Sequence, residues 1–215
     1  MKRVIKVFFL HLTSCLGWTI SFLVPYRGAF LLGLFFNQIY TAWLSRNFRK
    51  LGRGSMINSG INLVNGKYIT IGENTIIGRR VVLNAWDKYE MDCFSPEIII
   101  GNGVSIGDDN HITAIKSIRI GDNVLIGKKV TITDNSHGRN DNKKEFFIPP
   151  IARSLYSKGE VLINDNVWIG DKVTILPGVT IGFGAIIGSN SVVTCDVPPF
   201  AIAVGMPARV VRTPA

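Results

Sequence analysis

Aliphatic side chains recur every six positions along most of the chain from Ile57 onward. The recurrent positions are Ile57, Leu63, Ile71, Ile77, Leu83, Ile100, Ile106, Ile112, Ile120, Ile126, Ile132, Ile163, Ile169, Ile175, Ile181, Ile187 and Val193. Positions i and i+6 fall on different faces of an α-helix, so this period favours short strands that turn a corner. Three such strands close a triangular coil with each aliphatic side chain pointing inward, and hexapeptide repeats are typical of a parallel β-helix.

The breaks in this period predict where the chain leaves the coil. Gaps of eight residues follow Leu63 and Ile112, which predicts two extra residues at a corner. Longer gaps follow Leu83 and Ile132 and predict loops, of which the longer one gives an extruded loop at residues 138–160. Gly follows nine of the aliphatic positions, and we expect it to allow a turn conformation that a Cβ would resist.

Two apolar runs precede the repeat and predict two helices. They are Val4–Val24, interrupted by Lys6 and His11, and Ala29–Leu44. Their apolar character around most of the circumference predicts burial in protein or in lipid. We therefore expect a mainly β protein with an apolar helical segment at 1–54, a β-helix domain at 55–197 and a C-terminal tail at 198–215.

Net charge is confined to one part of the chain. The 215 residues carry a formal charge of +9; nine bases and no acids precede Glu73, whereas residues 73–215 hold 15 bases and 15 acids. The early bases are set among Phe and Leu rather than on a polar face, which disfavours a nucleic-acid partner. Three widely spaced cysteines without a CxxC pair exclude a disulfide scaffold and fit a reducing compartment.

The basic, apolar segment 1–54 is open to three interpretations. It could form a membrane-surface or re-entrant helical pair, with its bases facing anionic headgroups. It could instead cap the end of an oligomer, or cross the membrane as a span or export signal. Val4–Val24 is long enough to cross a bilayer, but Lys6 and His11 interrupt it. We favour peripheral contact with a membrane.

Several motifs resemble those of a known enzyme family. They are VWIG at Val167–Gly170, LPGVTIG at Leu176–Gly182, GMPAR at Gly205–Arg209 and the segment Ile120–Gly138, which ends in DNSHG. The chain closely resembles the hexapeptide-repeat acyltransferases over roughly residues 55–212. Within that superfamily it is similar to the sugar O-acetyltransferases, such as the galactoside, maltose and nodulation-factor enzymes and those of capsule and O-antigen synthesis.

The resemblance implies a left-handed β-helix, acetyl-CoA as co-substrate and a homotrimer with active sites between neighbouring subunits. It also implies that His137 is the general base, since a histidine near its ordinary pKa suits removal of a hydroxyl proton. The alternative is a loop histidine that caps a turn. We expect His111 and Asn110 at the acceptor-binding position, although His111 could equally be a plain turn residue. Loop 138–160 is expected to form a wall of the acceptor pocket, or else to be exposed.

The resemblance further implies a set of coenzyme A contacts along a groove between two subunits. The expected positions are Asp171, Ser189, Thr194, Cys195, Arg209 and Arg212. The family often has Lys where Cys195 stands, so one phosphate contact differs here. Guanidinium groups suit phosphate, which makes Arg209 and Arg212 the expected partners of the adenosine phosphates.

These expectations lead to one favoured function and two alternatives. We expect an acetyl-CoA-dependent sugar O-acetyltransferase of surface polysaccharide synthesis, acting on a glycan or its lipid-linked form at the inner face of the cytoplasmic membrane. The alternatives are an N-acetyltransferase acting on an amino sugar or an antibiotic, and a non-catalytic scaffold. A γ-class carbonic anhydrase needs three zinc-binding histidines, and the repeat offers His111 and His137, so we expect no metal.

Overall fold

A computed structural model of the chain describes residues 2–139 and 141–213, without the side chains of Arg3 and Val4. Asn140 in the predicted loop, and Pro214 and Ala215 in the predicted tail, lie outside the described residues. The chain divides into two compact units, residues 1–39 and residues 40–215.

Two helices, Lys2–Leu23 and Tyr26–Leu44, form the N-terminal region, as the two apolar runs predicted. The chain breaks between them at Val24 and Pro25, where proline restricts the preceding residue to extended backbone. Large apolar side chains on both helices are exposed, among them Phe8, Trp18 and Phe35. By length and composition, Ile5–Leu23 is apolar enough to cross a membrane.

Residues 40–215 form three mainly parallel sheets that wind as a left-handed β-helix, which confirms the predicted fold class. Sheet A consists of Lys50–Leu51, Ile69–Ile71, Glu97–Ile100, Ser117–Ile120, Val161–Ile163 and Thr180–Ile181. Sheet B consists of Met56–Ile57, Ile76–Ile77, Ser105–Ile106, Leu125–Ile126, Trp168–Ile169, Ile186–Ile187, Ile202–Gly205 and Ala208–Arg212. Sheet C consists of Asn62–Val64, Val82–Ala85, His111–Ala114, Thr131–Thr133, Thr174–Ile175 and Val192–Val193. Short 3₁₀ helices lie at Ser45–Asn47, Gly66–Tyr68, Lys143–Phe147 and Pro150–Ala152.

The recurrent aliphatic residues stack in columns inside this prism. In sheet B, for example, Ile106 pairs with Ile77 on one side and with Ile126 on the other. All of the predicted inward positions are buried except Leu63, which is half-buried against the same core. Each coil therefore contributes three aliphatic side chains to a continuous core, and burial of their apolar area stabilises the stack.

The glycines that follow the aliphatic positions serve a different purpose from the one we expected. They do not have positive φ; a Cβ on Gly107 would lie 2.6 Å from the carbonyl oxygen of Gly127 in the next coil. These glycines thus allow close stacking of coils, and the expectation about turn conformation was wrong. The left-handed turn residue comes two positions later, as at Asn123 (φ 56°) and Lys129 (φ 58°).

The compact unit that contains the β-helix begins at Tyr40, and residue 55 stays the predicted start of the β-helix domain. The last turn of the second helix caps the first coil, where Leu44 and Phe48 are buried against the core. The Thr41 hydroxyl accepts a hydrogen bond from the backbone N–H of Ile57 at 2.8 Å. At the other end, Ile202–Gly205 and Ala208–Arg212 form an antiparallel hairpin on sheet B, so the expected tail is part of the sheet.

Every extra stretch of chain leaves the prism at one edge, where sheet C turns into sheet A (the C/A edge). The two longest of these stretches carry paired strands of their own. Residues 86–96 form a hairpin with strands Lys88–Tyr89 and Asp92–Cys93 (the 86–96 hairpin). Residues 134–160 form a longer loop with paired strands Ser136–His137 and Leu155–Tyr156 (the 134–160 loop). The C/A edge is therefore the edge of the β-helix that carries both the 86–96 hairpin and the 134–160 loop.

Candidate active site

A pocket of about 630 Å³ runs along the C/A edge. Three successive coils form its floor, through Thr133 and Asn135, then Leu176 and Pro177, then Thr194. The 134–160 loop supplies the wall, with His137, Arg139, Phe146, Arg153, Tyr156 and Lys158. The 134–160 loop therefore forms one wall of this pocket, and its contact with an acceptor stays a prediction. Adjacent strands are about 4.8 Å apart, so the floor follows the prism axis for about 10 Å.

His137 is presented to this pocket by a short antiparallel pairing. Its strand pairs with Leu155–Tyr156, and Leu155 is buried, which ties the loop to the prism. The backbone N–H of Gly138 donates to the carbonyl of Ser154 at 2.9 Å. The imidazole of His137 is exposed, so the loop fixes its backbone while leaving the ring open to a ligand.

Asp134 anchors the root of the same segment. Its side chain is 0% exposed, and its carboxylate accepts hydrogen bonds from the backbone N–H groups of Ile115, Lys116 and Ser117 at 2.7–2.9 Å. These three residues form the widened corner of the preceding coil. A carboxylate with three backbone donors is a strong anchor, and it lies three positions before His137.

Charged side chains on the pocket wall are mostly basic. Arg139 and Asp141 form a bidentate pair, with distances of 3.0 and 2.9 Å. The hydrogen bonds that Arg139 donates to the Asp141 carboxylate raise the pKa of the Arg139 guanidinium and lower the pKa of Asp141. The Arg139 guanidinium also lies 4.8 Å from the centre of the Tyr156 ring. Arg153 and Lys158 add positive charge to the lining.

The structure separates the two predicted acceptor residues from His137. His111 is exposed at the start of its sheet C strand, at the edge of the prism where sheet B turns into sheet C. Asn110 is 1% exposed; its amide donates to the carbonyls of Gly107 and Gly127, both at 2.8 Å, and its oxygen accepts from Val130. These side-chain hydrogen bonds hold two coils together, and a role of Asn110 in acceptor binding stays a prediction.

The predicted coenzyme A positions fall into three places. Thr194 lines the pocket that holds His137, and Cys195 is exposed beside it. Asp171 and Ser189 lie at another edge, where sheet B turns into sheet C. There the Asp171 carboxylate accepts a hydrogen bond from the backbone N–H of Lys128 at 2.8 Å. The backbone N–H of Asp171 donates to the Ser189 hydroxyl at 3.2 Å.

Arg209 and Arg212 lie on the C-terminal hairpin. Arg209 pairs with Val204 and Arg212 with Ile202, across an irregularity in register. Ile202 and Val204 are two residues apart and so share a face, and cross-strand partners point the same way. The two side chains therefore leave the same face of the hairpin, where the Arg209 guanidinium donates to the carbonyl of Ala208 at 2.9 Å. Their contact with phosphates stays a prediction.

Two residues with a place at the site were missed from the sequence. Besides Asp134, the Tyr89 ring packs edge-on against the His137 ring, with centroids 5.4 Å apart. The phase of the repeat could have indicated this contact, because the gaps after Leu83 and Ile132 fall at the same corner of the prism and both loops therefore leave from that corner. Within the described residues, no group of three or more His, Cys, Asp or Glu side chains could hold a metal ion.

Comparison with protein families matches two segments of the β-helix. Residues 160–195 match the bacterial transferase hexapeptide (six repeats) family, and residues 117–136 match the hexapeptide repeat of succinyl-transferase. An Escherichia coli K12 protein named as a lipopolysaccharide biosynthesis O-acetyl transferase, WbbJ, is 36% identical over 147 residues. That alignment covers 67% of this chain and 71% of WbbJ.

Two solved structures are similar over most of the chain. AntD, an N-acyltransferase from Bacillus cereus crystallised with dTDP and 3-hydroxybutyryl-CoA, has a TM-score of 0.67 at 20% identity and covers 82% of this chain and 88% of its own. The hexapeptide-repeat acetyltransferase VCA0836 of Vibrio cholerae, complexed with acetyl-CoA, has a TM-score of 0.55 at 27% identity, covering 82% of this chain and 76% of its own. The first of these likenesses supports the fold alone.

Proposed function

The chain belongs to the bacterial hexapeptide-repeat acyltransferase family, and from that premise we propose that it transfers an acetyl group from acetyl-CoA to a sugar hydroxyl. The observation that carries this proposal is the exposed imidazole of His137, held by two paired strands in the pocket of the C/A edge. The VCA0836 structure contains acetyl-CoA, and WbbJ is named as an O-acetyl transferase; both support the donor and the reaction.

The proposed reaction needs one proton carrier. As the acceptor oxygen attacks the thioester carbonyl, its proton passes to the His137 imidazole. When the tetrahedral intermediate collapses, the carbon–sulfur bond breaks and the protonated His137 imidazole gives its proton to the leaving thiolate of coenzyme A. No covalent enzyme intermediate forms. The backbone N–H groups of Asn135, Gly138 and Arg139 already have hydrogen-bond partners, so the oxyanion takes its donors from elsewhere.

The acceptor that we propose is a sugar of a surface polysaccharide, carried on lipid or on a nucleotide. The name of WbbJ places that relative in lipopolysaccharide biosynthesis. A pocket of about 630 Å³ accommodates a sugar together with the acetyl end of coenzyme A. Wall residues Phe146 and Tyr156 provide apolar ring surface, and Arg153 and Lys158 provide hydrogen-bond donors.

We propose that the active unit is a homotrimer. The outer face of sheet B carries an apolar column along the prism, and Ile76, Leu125 and Trp168 on it are each about half exposed. Asp171 and Ser189 lie at a different edge of the prism from His137. One coenzyme A molecule can therefore contact His137 as well as Asp171 and Ser189 only if two subunits contribute to its site. Light scattering should give about three times the 23.7 kDa chain mass, and Leu125→Glu should lower it.

Residues 1–39 hold this enzyme, in our proposal, at the inner face of the cytoplasmic membrane. Their two helices expose aromatic and aliphatic side chains, and four bases with no acid lie in that stretch. Such a composition favours the interface of an anionic bilayer. Acetyl-CoA is a cytoplasmic metabolite, which fits the inner face.

His137→Ala tests the assignment, with His11→Ala, on the first helix, as a matched control. Loss of a general base lowers kcat by about 10²- to 10⁴-fold, whereas His11→Ala should leave kcat on a free glycoside within about twofold of wild type. Lipid-linked glycans, nucleotide sugars and free glycosides are supplied as acceptors. The assay measures the thiol released from acetyl-CoA and the mass of the product. Full activity of His137→Ala contradicts the role of His137.

The same panel separates the hydroxyl acceptor from its alternatives. A nucleotide-linked amino sugar and an aminoglycoside are added to it, and fragmentation of each product locates the acetyl group. Acetylation of a nitrogen alone overturns the O-acetyltransferase proposal. Absence of acetyl-CoA binding in calorimetry favours the non-catalytic scaffold.

A further inference from the structure

The 86–96 hairpin reaches the His137 ring although it leaves the prism two coils earlier. Its residue Tyr89 lies edge-on to the imidazole, with an interplanar angle of 70°. The Tyr89 hydroxyl donates a hydrogen bond to the carbonyl of Ile151 at 2.7 Å. The hairpin and the 134–160 loop thus meet at the proposed base, and Tyr89 contacts both His137 and the far end of that loop.

The root of the hairpin is fixed as firmly as its tip. The Asp87 carboxylate accepts hydrogen bonds from the Asn65 amide at 2.9 Å and from the Tyr68 hydroxyl at 3.2 Å. It also forms an ion pair with Lys67 at 3.1 Å. All three partners lie at the C/A corner of the first coil, so the hairpin is held between that corner and Ile151.

We propose that Tyr89 is a positioning residue that holds the His137 imidazole in its productive orientation. The ring of His137 is exposed, and rotation about its side-chain torsions would move its nitrogens away from the acceptor. The Tyr89 ring restricts that rotation because it packs directly against the imidazole, with ring centroids 5.4 Å apart. Edge-to-face packing of aromatic rings is favourable in its own right, and small losses of orientation are costly to a proton-transfer step.

The hydroxyl of Tyr89 acts on the loop rather than on the reaction. It is occupied by the Ile151 carbonyl, so the effect of Tyr89 passes through His137. This role rests on the proposed function of His137 as base. It makes a distinctive prediction, since a residue that acts through His137 has nothing to act on once that imidazole is removed.

A double-mutant cycle of Tyr89→Leu and His137→Ala provides the test. Tyr89→Leu alone should lower kcat about tenfold and leave the KM for acetyl-CoA within about twofold. In the His137→Ala background, the same substitution should change the residual rate by less than about twofold. Tyr89→Phe, which keeps the ring, should retain most of kcat. Tyr26→Leu removes the same atoms from the N-terminal helix and is the control.

A spectroscopic measurement does not depend on turnover. The chain has three histidines, His11, His111 and His137, so ring signals of selectively labelled protein are assignable with His137→Ala. Relaxation of the His137 ring should report greater mobility in Tyr89→Leu, and values close to wild type in Tyr89→Phe. An undiminished Tyr89→Leu effect in the His137→Ala background, or an unchanged ring mobility, overturns the proposal. If no acetyl transfer is found at all, the relaxation result still decides whether Tyr89 orients the ring.

Discussion

At the scale of single residues, Asp134 links the chemistry of the site to the stability of the fold. Asp134→Asn keeps the size of the side chain but turns an amide group toward backbone N–H donors. Hydrogen bonds to a charged group contribute about 1.5–3 kcal/mol each, and the native carboxylate accepts three from residues 115–117. We expect Asp134→Asn to lower the free energy of unfolding by about 2–4 kcal/mol, measured by urea denaturation, and to lower kcat.

Asp165→Asn is the matched control for this substitution. Asp165 also accepts a backbone hydrogen bond, from Asp122 at 2.8 Å, but it is exposed. Water can replace its partner, so we expect a loss below about 1 kcal/mol. Equal losses for the two variants would contradict the buried-anchor role of Asp134.

Residue types alone indicated only part of the candidate site. His137 could be proposed as the base because its motif resembles that of a known family and because it begins a gap in the repeat. Asn110 was expected at the acceptor because it adjoins His111, whereas its amide donates to two carbonyls inside a corner. The orientation of a side chain at a corner depends on the turn geometry, which the six-residue period does not specify.

At the scale of secondary-structure elements, the spacing between coils depends on glycines that have no Cβ. A methyl group on Gly107 would lie 2.6 Å from the Gly127 carbonyl oxygen, so two coils would have to separate. We expect Gly107→Ala to lower the free energy of unfolding by about 1–3 kcal/mol, measured by thermal and urea melts. Gly17→Ala is the control, since no atom lies within 4 Å of the added methyl group. An unchanged melt for Gly107→Ala would rule out the close-stacking role.

The root of the 86–96 hairpin should respond to pH through Asp87 and Lys67. Their hydrogen bond lowers the pKa of Asp87 and raises that of Lys67. A lowered folded-state pKa means that the contribution of Asp87 is present above its unfolded-state pKa and is lost as pH falls through the folded value. The contribution of Lys67 is present below its own unfolded-state pKa and is lost as pH rises through its folded value.

Hydrogen exchange over residues 86–96 measures this anchor. At neutral pH, Asp87→Asn should exchange faster than wild type after correction for intrinsic rates, because the ion pair is absent. The two proteins should converge as pH falls through the folded-state pKa of Asp87. A difference that persists in strong acid would show that the carboxylate charge is not what holds the hairpin.

The strands of the β-helix were largely predictable from the sequence, whereas the structure of the 86–96 hairpin and the 134–160 loop was not. A strict period of six fixes which side chains point inward, and those side chains are buried as expected. The gaps predicted loops, but the pairing of Lys88–Tyr89 with Asp92–Cys93 and the contact of Tyr89 with His137 depend on tertiary packing. Local patterns carry no information about a contact between two loop residues that lie 48 positions apart in the chain.

At the scale of the whole molecule, the nine bases that precede Glu73 are divided between the two compact units, residues 1–39 and residues 40–215. Of the nine early bases, five lie within residues 40–72 and belong to the β-helix unit. Two of these five form ion pairs, Arg49 with Glu97 and Lys67 with Asp87. The charge that remains for an anionic surface in residues 1–39 is carried by Lys2, Arg3, Lys6 and Arg27.

Membrane contact can be tested in the full chain by placing acids on the N-terminal helices. Phe8 and Phe22 are both well exposed, and an acidic residue at either position opposes insertion into the apolar part of a bilayer. We expect the double variant Phe8→Asp/Phe22→Asp to lose flotation with vesicles of phosphatidylglycerol and phosphatidylcholine. Phe183→Asp, at an exposed phenylalanine of the β-helix, should float like wild type.

Salt and lipid charge then distinguish how the helices are held. Each base near an anionic surface contributes about 1 kcal/mol, and that attraction is screened beyond about 8 Å at physiological ionic strength. Binding at the surface should therefore weaken in high salt and on neutral vesicles, whereas a helix that crosses the bilayer should resist both. Flotation of the double variant equal to that of wild type would contradict membrane contact through residues 1–39, and these helices would then be assigned to contacts between protein chains.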